Sequence, residues 1–202
     1  MVRHHYLRSA LLTGKMLRHI AVLDNRWVAL VGWGTAALKC LPRDRWIGWC
    51  PSVRYRRLHL VANNARFLIL PGFHLPHLAS RVLALSTKRL SSDWQATHGH
   101  PILLVETFVD PSRFAGTSYR AAGWIAVGQT KGFAKTNRTY RYHGQPKTVF
   151  VRPLHRRALT WLKDPMAPVE RRGKMSASRL SSKQTDALIE CLRKLPDPRK
   201  RR

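Results

Sequence analysis

The sequence predicts an α/β (α+β) fold, a sheet flanked by helices and followed by a basic C-terminal tail. Three observations predict it. Apolar runs rich in β-formers recur from Met16 to Leu154, one long stripe of helical period separates two of them, and apolar residues thin out after Asp164. With 202 residues, 44% of them apolar, the chain is long enough for one well-buried domain rather than two. We place that domain at residues 1–163 and a flexible basic tail at 164–202.

MLRHIAVL and RWVALVGW flank Asp24-Asn25, a dipeptide that tolerates left-handed backbone, so residues 15–33 predict a hairpin. PRDRWIGWC, residues 42–50, sets Trp46 and Trp49 among charges and a glycine and predicts a turn. RRLHLVANNARFLIL alternates at first and then becomes continuously apolar, as a strand does on entering a covered core, with a bulge predicted at Asn63-Asn64. Between Leu75 and His98, the residues Leu78, Ala79, Val82, Leu83, Leu90 and Trp94 share one stripe, which predicts an amphipathic helix ended by Gly99 and Pro101. PILLVETFVD predicts a buried strand, GTSYRAAG a short helix closed by Gly123, and WIAVGQT another strand. KGFAKTNRTYRYHGQPK predicts a basic polar loop and KTVFVRPL a last strand. In the tail, Ser181 and Gln184 form a capping-box pattern before a short amphipathic helix at about 182–195, suited to packing on the domain or to a partner.

Charge narrows the function classes. Lys and Arg number 37 against 10 Asp and Glu, a formal charge of +27, far from the balance of a soluble enzyme acting on neutral substrates. Self-repulsion on that scale points to a polyanionic partner, with nucleic acid ahead of an acidic membrane surface. Cys40, Cys50 and Cys191 are too few and scattered for a disulfide framework or a four-ligand zinc site, which suits reducing cytoplasm. The segment MVRHHYLRSALL lacks the long apolar core of a signal peptide, and no later stretch has the length of a membrane span, so no membrane partner is expected.

The motifs RFLILP, LASRVL, LLVETFVDP and SYRAAGWIAVGQT, between Ala65 and Thr130, resemble the acyl-CoA-binding half of the GNAT N-acetyltransferase fold. That resemblance implies a GNAT-like mixed, mostly antiparallel sheet. More specifically, PRDRWIGW, VANNARFLILP, LAS, SSDW, ETFVDP, FAGTSYRAAGWIAVGQTKG and KTVFVRPL, in this order from about Lys15 to Leu154, resemble the family of the Druantia anti-phage system protein DruA. Members of that family also occur in or beside transposase-like proteins of mobile elements. The resemblance implies a setting in DNA defence or transposition.

Competent acetyltransferases present bare backbone amides to the CoA pyrophosphate between the strand and the helix. The corresponding residues here are Gly72-Phe73-His74-Leu75-Pro76-His77, where Pro76 has no amide hydrogen and side chains crowd the approach. We therefore read Gly72, His74 and His77 as a loop able to take a single phosphate, including one from a nucleic-acid backbone. Between Trp27 and Lys163 the acidic residues are Asp44, Asp93, Glu106 and Asp110 alone, so Asp93, Glu106 and Asp110 are candidates for a metal-dependent nuclease site, with salt bridges to arginine as the alternative. Tyr119 matches the position where the acetyltransferase fold often keeps a general acid; a DNA nucleophile and helix packing are its other readings. His74-x-x-His77 and His98-Gly-His100 have metal-compatible spacing but lack partners, and no Ser-His-Asp constellation stands out.

Basic residues interleave with aromatic ones in two clusters: Arg43, Arg45, Arg54, Arg56 and Arg57 with Trp46, Trp49 and Tyr55, and Lys131, Lys135, Arg138 and Arg141 with Tyr140. Such mixtures fix phosphates and stack on unpaired bases, although Trp46 and Trp49 suit the core equally well. Asn64 and Arg66 complete the expected nucleic-acid set. The sequence thus predicts a cytoplasmic, DNA-associated protein of a mobile-element or anti-phage system, binding DNA ahead of RNA, beside other defence or transposition proteins. No cofactor is expected, with coenzyme A and a divalent metal left open; a divergent acyltransferase and a metal-dependent nuclease or transposase component are the alternatives.

Overall fold

The computed structural model describes residue 12 and residues 14–136, 139–142 and 144–167, so the predicted tail helix lies outside the described residues. Strands β1 (Leu17–Leu23) and β2 (Arg26–Thr35) form the expected antiparallel hairpin. Its turn has φ of 47° at Asp24 and 60° at Asn25, the double left-handed geometry that matches strand twist. The segment read as a turn is instead two helical pieces, α1 (Leu41–Ile47) and α2 (Pro51–Arg57), each with proline at its first turn and α1 closed by Gly48 at φ 75°. Proline opens a helix without losing a needed donor, and glycine closes one, so the same residues that signal a turn mark helix boundaries here.

A 3₁₀ turn, Leu58–Leu60, leads into β3 (Val61–Ile69). Helix α3 (Leu78–His98) ends at Gly99, φ 81°, whose amide donates to Gln95 O. Then come β4 (Leu104–Val109), α4 (Thr117–Ala121) and β5 (Ile125–Gln129). The stretch expected as a polar loop folds into a two-stranded ribbon, β6 (Phe133–Thr136) and β7 (Thr139–Tyr142), before β8 (Thr148–Pro153) and a further helix, α5 (Ala158–Lys163).

The main sheet has the order β1-β2-β3-β4-β8-β5, and every pair is antiparallel except β3 with β4, which α3 connects. The expected mixed, mostly antiparallel sheet flanked by helices is the fold observed. Alternate residues of one strand face opposite layers: Val105 and Phe150 join Val82, Leu83, Leu90 and Trp94 of α3, while Leu104, Val149 and Val151 join Ile47, Trp161 and Leu162. Among the described residues no helix is long and apolar enough to cross a membrane.

Gly116 shows how tightly α4 is set on the sheet. It is the N-cap of that helix with φ 74°, and an added Cβ would lie 2.5 Å from Phe150 Cζ. The Phe150 ring is fully buried and stacked on Tyr119, so it cannot yield. Gly116→Ala is therefore expected to cost about 2 kcal/mol, read as a lower urea midpoint, from backbone strain plus overpacking.

Candidate functional site

The parallel strands β3 and β4 pair only over Val61–Asn63 and Leu104–Glu106; beyond that each continues without the other. A bulge in β3 accompanies the split, since Gly32 and Trp33 of β2 oppose Arg66 and Asn64, leaving Ala65 extra. Asn64 holds the bulge. Its Nδ2 donates to Gly32 O and Arg66 O, each at 3.2 Å, its Oδ1 accepts the Tyr119 hydroxyl at 2.7 Å, and its carbonyl accepts Thr107 Oγ1 at 3.0 Å. At 3% exposure Asn64 is a structural residue, which corrects its assignment to a nucleic-acid surface. The Tyr119 ring packs against Phe67, Trp124 and Phe150, and it borders a cavity of about 580 Å³ on this side of the split.

The opposite side opens into a larger cavity of about 1440 Å³, walled by residues 34–42, the end of β5 and the start of β6. Lys39, Arg45, Arg66, Lys131 and Lys147 line it, together with Trp46, and among the described residues no carboxylate does. Arg45, Lys39 and Lys131 are exposed. Arg66 donates to Ala65 O at 2.7 Å.

The carboxylates are engaged elsewhere. Glu106, fully buried, accepts the Ala37 amide at 2.6 Å and Arg43 Nη1 at 2.7 Å. Burial pushes its carboxyl above the usual range, opposed by Arg43 and the Ala37 amide. Arg43 also donates to Ala37 O at 2.8 Å and to Asp44 Oδ1 through Nε and Nη2, at 2.9 and 2.7 Å. Asp44 in turn accepts Trp49 Nε1 at 3.0 Å and Arg54 Nη1 at 3.2 Å. Arg43 is thus a core residue, contrary to its place in the expected phosphate-binding cluster, because its guanidinium answers Glu106 and Asp44 inside the fold. Trp49 is buried beside it, with the guanidinium carbon 5.7 Å from the ring centroid.

The rest of that cluster divides. Arg57 is buried and donates to Ala167 O at 2.7 Å, and Trp46 packs partly into the core, whereas Arg45 and Arg56 are exposed and Tyr55 is 82% exposed. Lys135 and Arg141 lie in the β6–β7 ribbon, while Arg138 falls outside the described residues.

Asp93 and Asp110 stand apart from Glu106. Asp93 Oδ2 takes Arg89 Nε at 2.5 Å; Asp110 Oδ1 takes the Ser112 amide and hydroxyl at 3.0 and 2.7 Å, which holds its pKa down. Among the described residues no three of His, Cys, Asp and Glu are grouped to hold a metal ion, which corrects the proposed union of Asp93, Glu106 and Asp110.

In the loop before α3, Gly72 has φ 87° and His77, the N-cap, has φ 58°. His74 and His77 are exposed, Pro76 supplies no amide hydrogen, and the Leu78 amide already donates to Leu75 O at 3.2 Å. A coenzyme A pyrophosphate at such a position takes unengaged backbone amides, and Pro76 and Leu78 offer none.

One constellation has no sequence signature. His19 Nδ1 lies 2.7 Å from Ser86 Oγ, which accepts Trp33 Nε1 at 3.0 Å, and His19 Nε2 lies 3.1 Å from Asp93 Oδ2, though out of line for a hydrogen bond. The residues fall on β1, β2 and α3, 67 positions separating His19 from Ser86, so no local spacing could announce them. Ser86 is buried and lines neither cavity, which makes this a tie between sheet and helix rather than a nucleophile.

The sequence profile described as Druantia protein DruA matches residues 1–141. Similar solved structures include aminoglycoside acetyltransferase AAC(6')-Ib in complex with coenzyme A and kanamycin, at 13% identity over 72% of this chain and 70% of that one, TM-score 0.44. An acetyltransferase of the GNAT family from Streptococcus pneumoniae matches at 11% identity over 69% and 67%, TM-score 0.42. A spermidine N-acetyltransferase SpeG variant from Vibrio cholerae matches at 14% identity over 72% and 69%, TM-score 0.43. No curated protein matches the chain.

Proposed function

The chain belongs to the family of the Druantia protein DruA, and from that premise we propose that it binds nucleic acid, DNA ahead of RNA, in the service of phage defence or a mobile element. The observation that supports this reading is the cavity lined by Lys39, Arg45, Lys131 and Lys147, with no carboxylate in its wall among the described residues. Cations gathered at a concave surface repel one another unless an anion enters, and a phosphodiester backbone supplies anions in series. Other proteins of a defence or transposition system are the partners this reading implies, in the cytoplasm.

The test is the salt dependence of affinity for labelled duplex DNA. Binding falls log-linearly with salt, with a slope near 0.9 for each phosphate neutralised. Replacing Lys39, Arg45, Lys131 and Lys147 together by glutamine is expected to weaken binding at low salt and make that slope shallower. An unaltered slope would move the binding surface away from this cavity.

Acyl transfer is the second reading, favoured by the split between β3 and β4 with the Tyr119 phenol beside it. Titration calorimetry with acetyl-CoA separates the two, since micromolar binding at physiological salt would displace the nucleic-acid reading.

A further inference from the structure

The geometry points to the base of the β6–β7 ribbon as a platform on which unpaired bases stack, which makes single-stranded nucleic acid the ligand class; this rests on the nucleic-acid reading above. Phe133 and Tyr142 are register partners across the ribbon. Their ring centroids are 5.1 Å apart, tilted by 53°, yet Phe133 is 53% and Tyr142 69% exposed. Two adjacent aromatic rings left largely in water are a costly arrangement for a folded chain, and a third flat ring stacked against them would recover that apolar area.

The pair is held in place rather than hung on a loose loop. At the foot of the ribbon the Thr130 amide donates to Lys147 O at 2.9 Å, and the Lys147 amide donates to Thr130 Oγ1 at 3.0 Å. Gly132 follows with φ 74°, and a Cβ there would meet Gln145 N at 3.1 Å, so the two chains approach as closely as glycine allows. This clamp ties the ribbon to the antiparallel β5–β8 pair, so the rings keep a fixed place relative to Lys131 and Lys147.

Charge selects the occupant. Phe133 itself lines the basic cavity with Lys131 and Lys147, so a flat ring bound at the pair would carry its anionic group toward cations. A nucleotide has both parts, and stacking tolerates any base because each has a π-face. In a duplex the bases are already stacked on one another and their faces are closed to the ribbon. An apolar protein partner would gain from the rings but not from the lysines, and it is the outcome against which the test is set.

The experiment uses the full chain with labelled oligo-thymidylate, which has no paired structure, and with a blunt duplex. Replacing Phe133 and Tyr142 together by alanine is expected to weaken single-strand binding at least about tenfold, the worth of one stacked base, with a clearly smaller loss on the duplex and the same salt slope, since every cation is kept. Tyr142→Phe keeps the ring and is expected to bind like the parent chain. Both side chains are exposed, so the variants should fold, and an unaltered circular dichroism melt checks this. Equal loss on single strand and duplex, or no loss on either, overturns the platform while the nucleic-acid reading survives. A parent chain that binds neither ligand overturns both.

Discussion

Replacing Arg43 by methionine is expected to cost about 3–5 kcal/mol of folding stability, because it strands a buried carboxylate without its counter-ion. Arg43 and Glu106 are each fully buried and meet at 2.7 Å. Glu106 keeps only the Ala37 amide after the substitution, and Asp44 loses two of its donors. An ion pair in this setting need not be net favourable over apolar side chains, since removing both charges from water offsets most of their attraction. Breaking it is a different matter. The double variant Arg43→Met/Glu106→Leu should therefore recover most of the lost stability, and urea unfolding of the parent, both single variants and the double variant measures the coupling. If the double variant loses the sum of the two single effects, the pair is not coupled and this account of the core fails. The staple also bears on function: it joins α1 and the Ala37 segment to β4, and residues 34–42 wall the basic cavity. On the nucleic-acid reading proposed above, the single variant should accordingly weaken binding although Arg43 itself does not line the cavity.

That same pair explains where sequence reasoning succeeds and where it fails. The β1–β2 hairpin, the Gly99 stop of α3 and the strands β4 and β8 are legible because each is specified by neighbours: left-handed turn residues, a helical period ended by glycine, a run of β-formers. Arg43 is read as a surface cation because arginine usually is one, and its burial is decided by Glu106, 63 positions away. The short helices α1 and α2 are obscured for a related reason, since buried arginines at 43 and 57 erase the apolar stripe that announces a helix. The β6–β7 ribbon is masked by its own polarity. The split between β3 and β4 depends on register, and Asn64 marks the bulge in the sequence without revealing that its side chain closes on Tyr119. The basic cavity is half legible: Arg45, Arg66 and Lys131 are in the expected set, whereas Lys39 and Lys147, isolated in sequence, reach it only through the fold.

Acid should unfold this protein partly through one histidine. His19 sits between β1 and α3, and burial lowers its pKa from 6.5 to about 4, with Asp93 acting in the opposite direction and Arg89 reinforcing the fall. The buried site suits the neutral ring, which keeps His19 Nδ1 in hydrogen-bond contact with Ser86 Oγ while that oxygen accepts the Trp33 N–H. An unfolded chain binds that proton near pH 6.5 and the folded chain only near 4, so the unfolded state gains protons first as pH falls. The stabilisation is complete above pH 6.5, declines as acid is added, and is gone below about 4. At pH 4.5 the loss from this residue should be about 2–3 kcal/mol. His19→Gln removes the titration while keeping an acceptor for Ser86, so its urea midpoint should fall less between pH 7.5 and 4.5 than that of the parent chain. His59 and His100, whose pKa values burial also lowers, remain in both proteins and cancel from the comparison. Parallel declines in the two chains would mean that His19 takes up its proton without disturbing the tie between the sheet and α3.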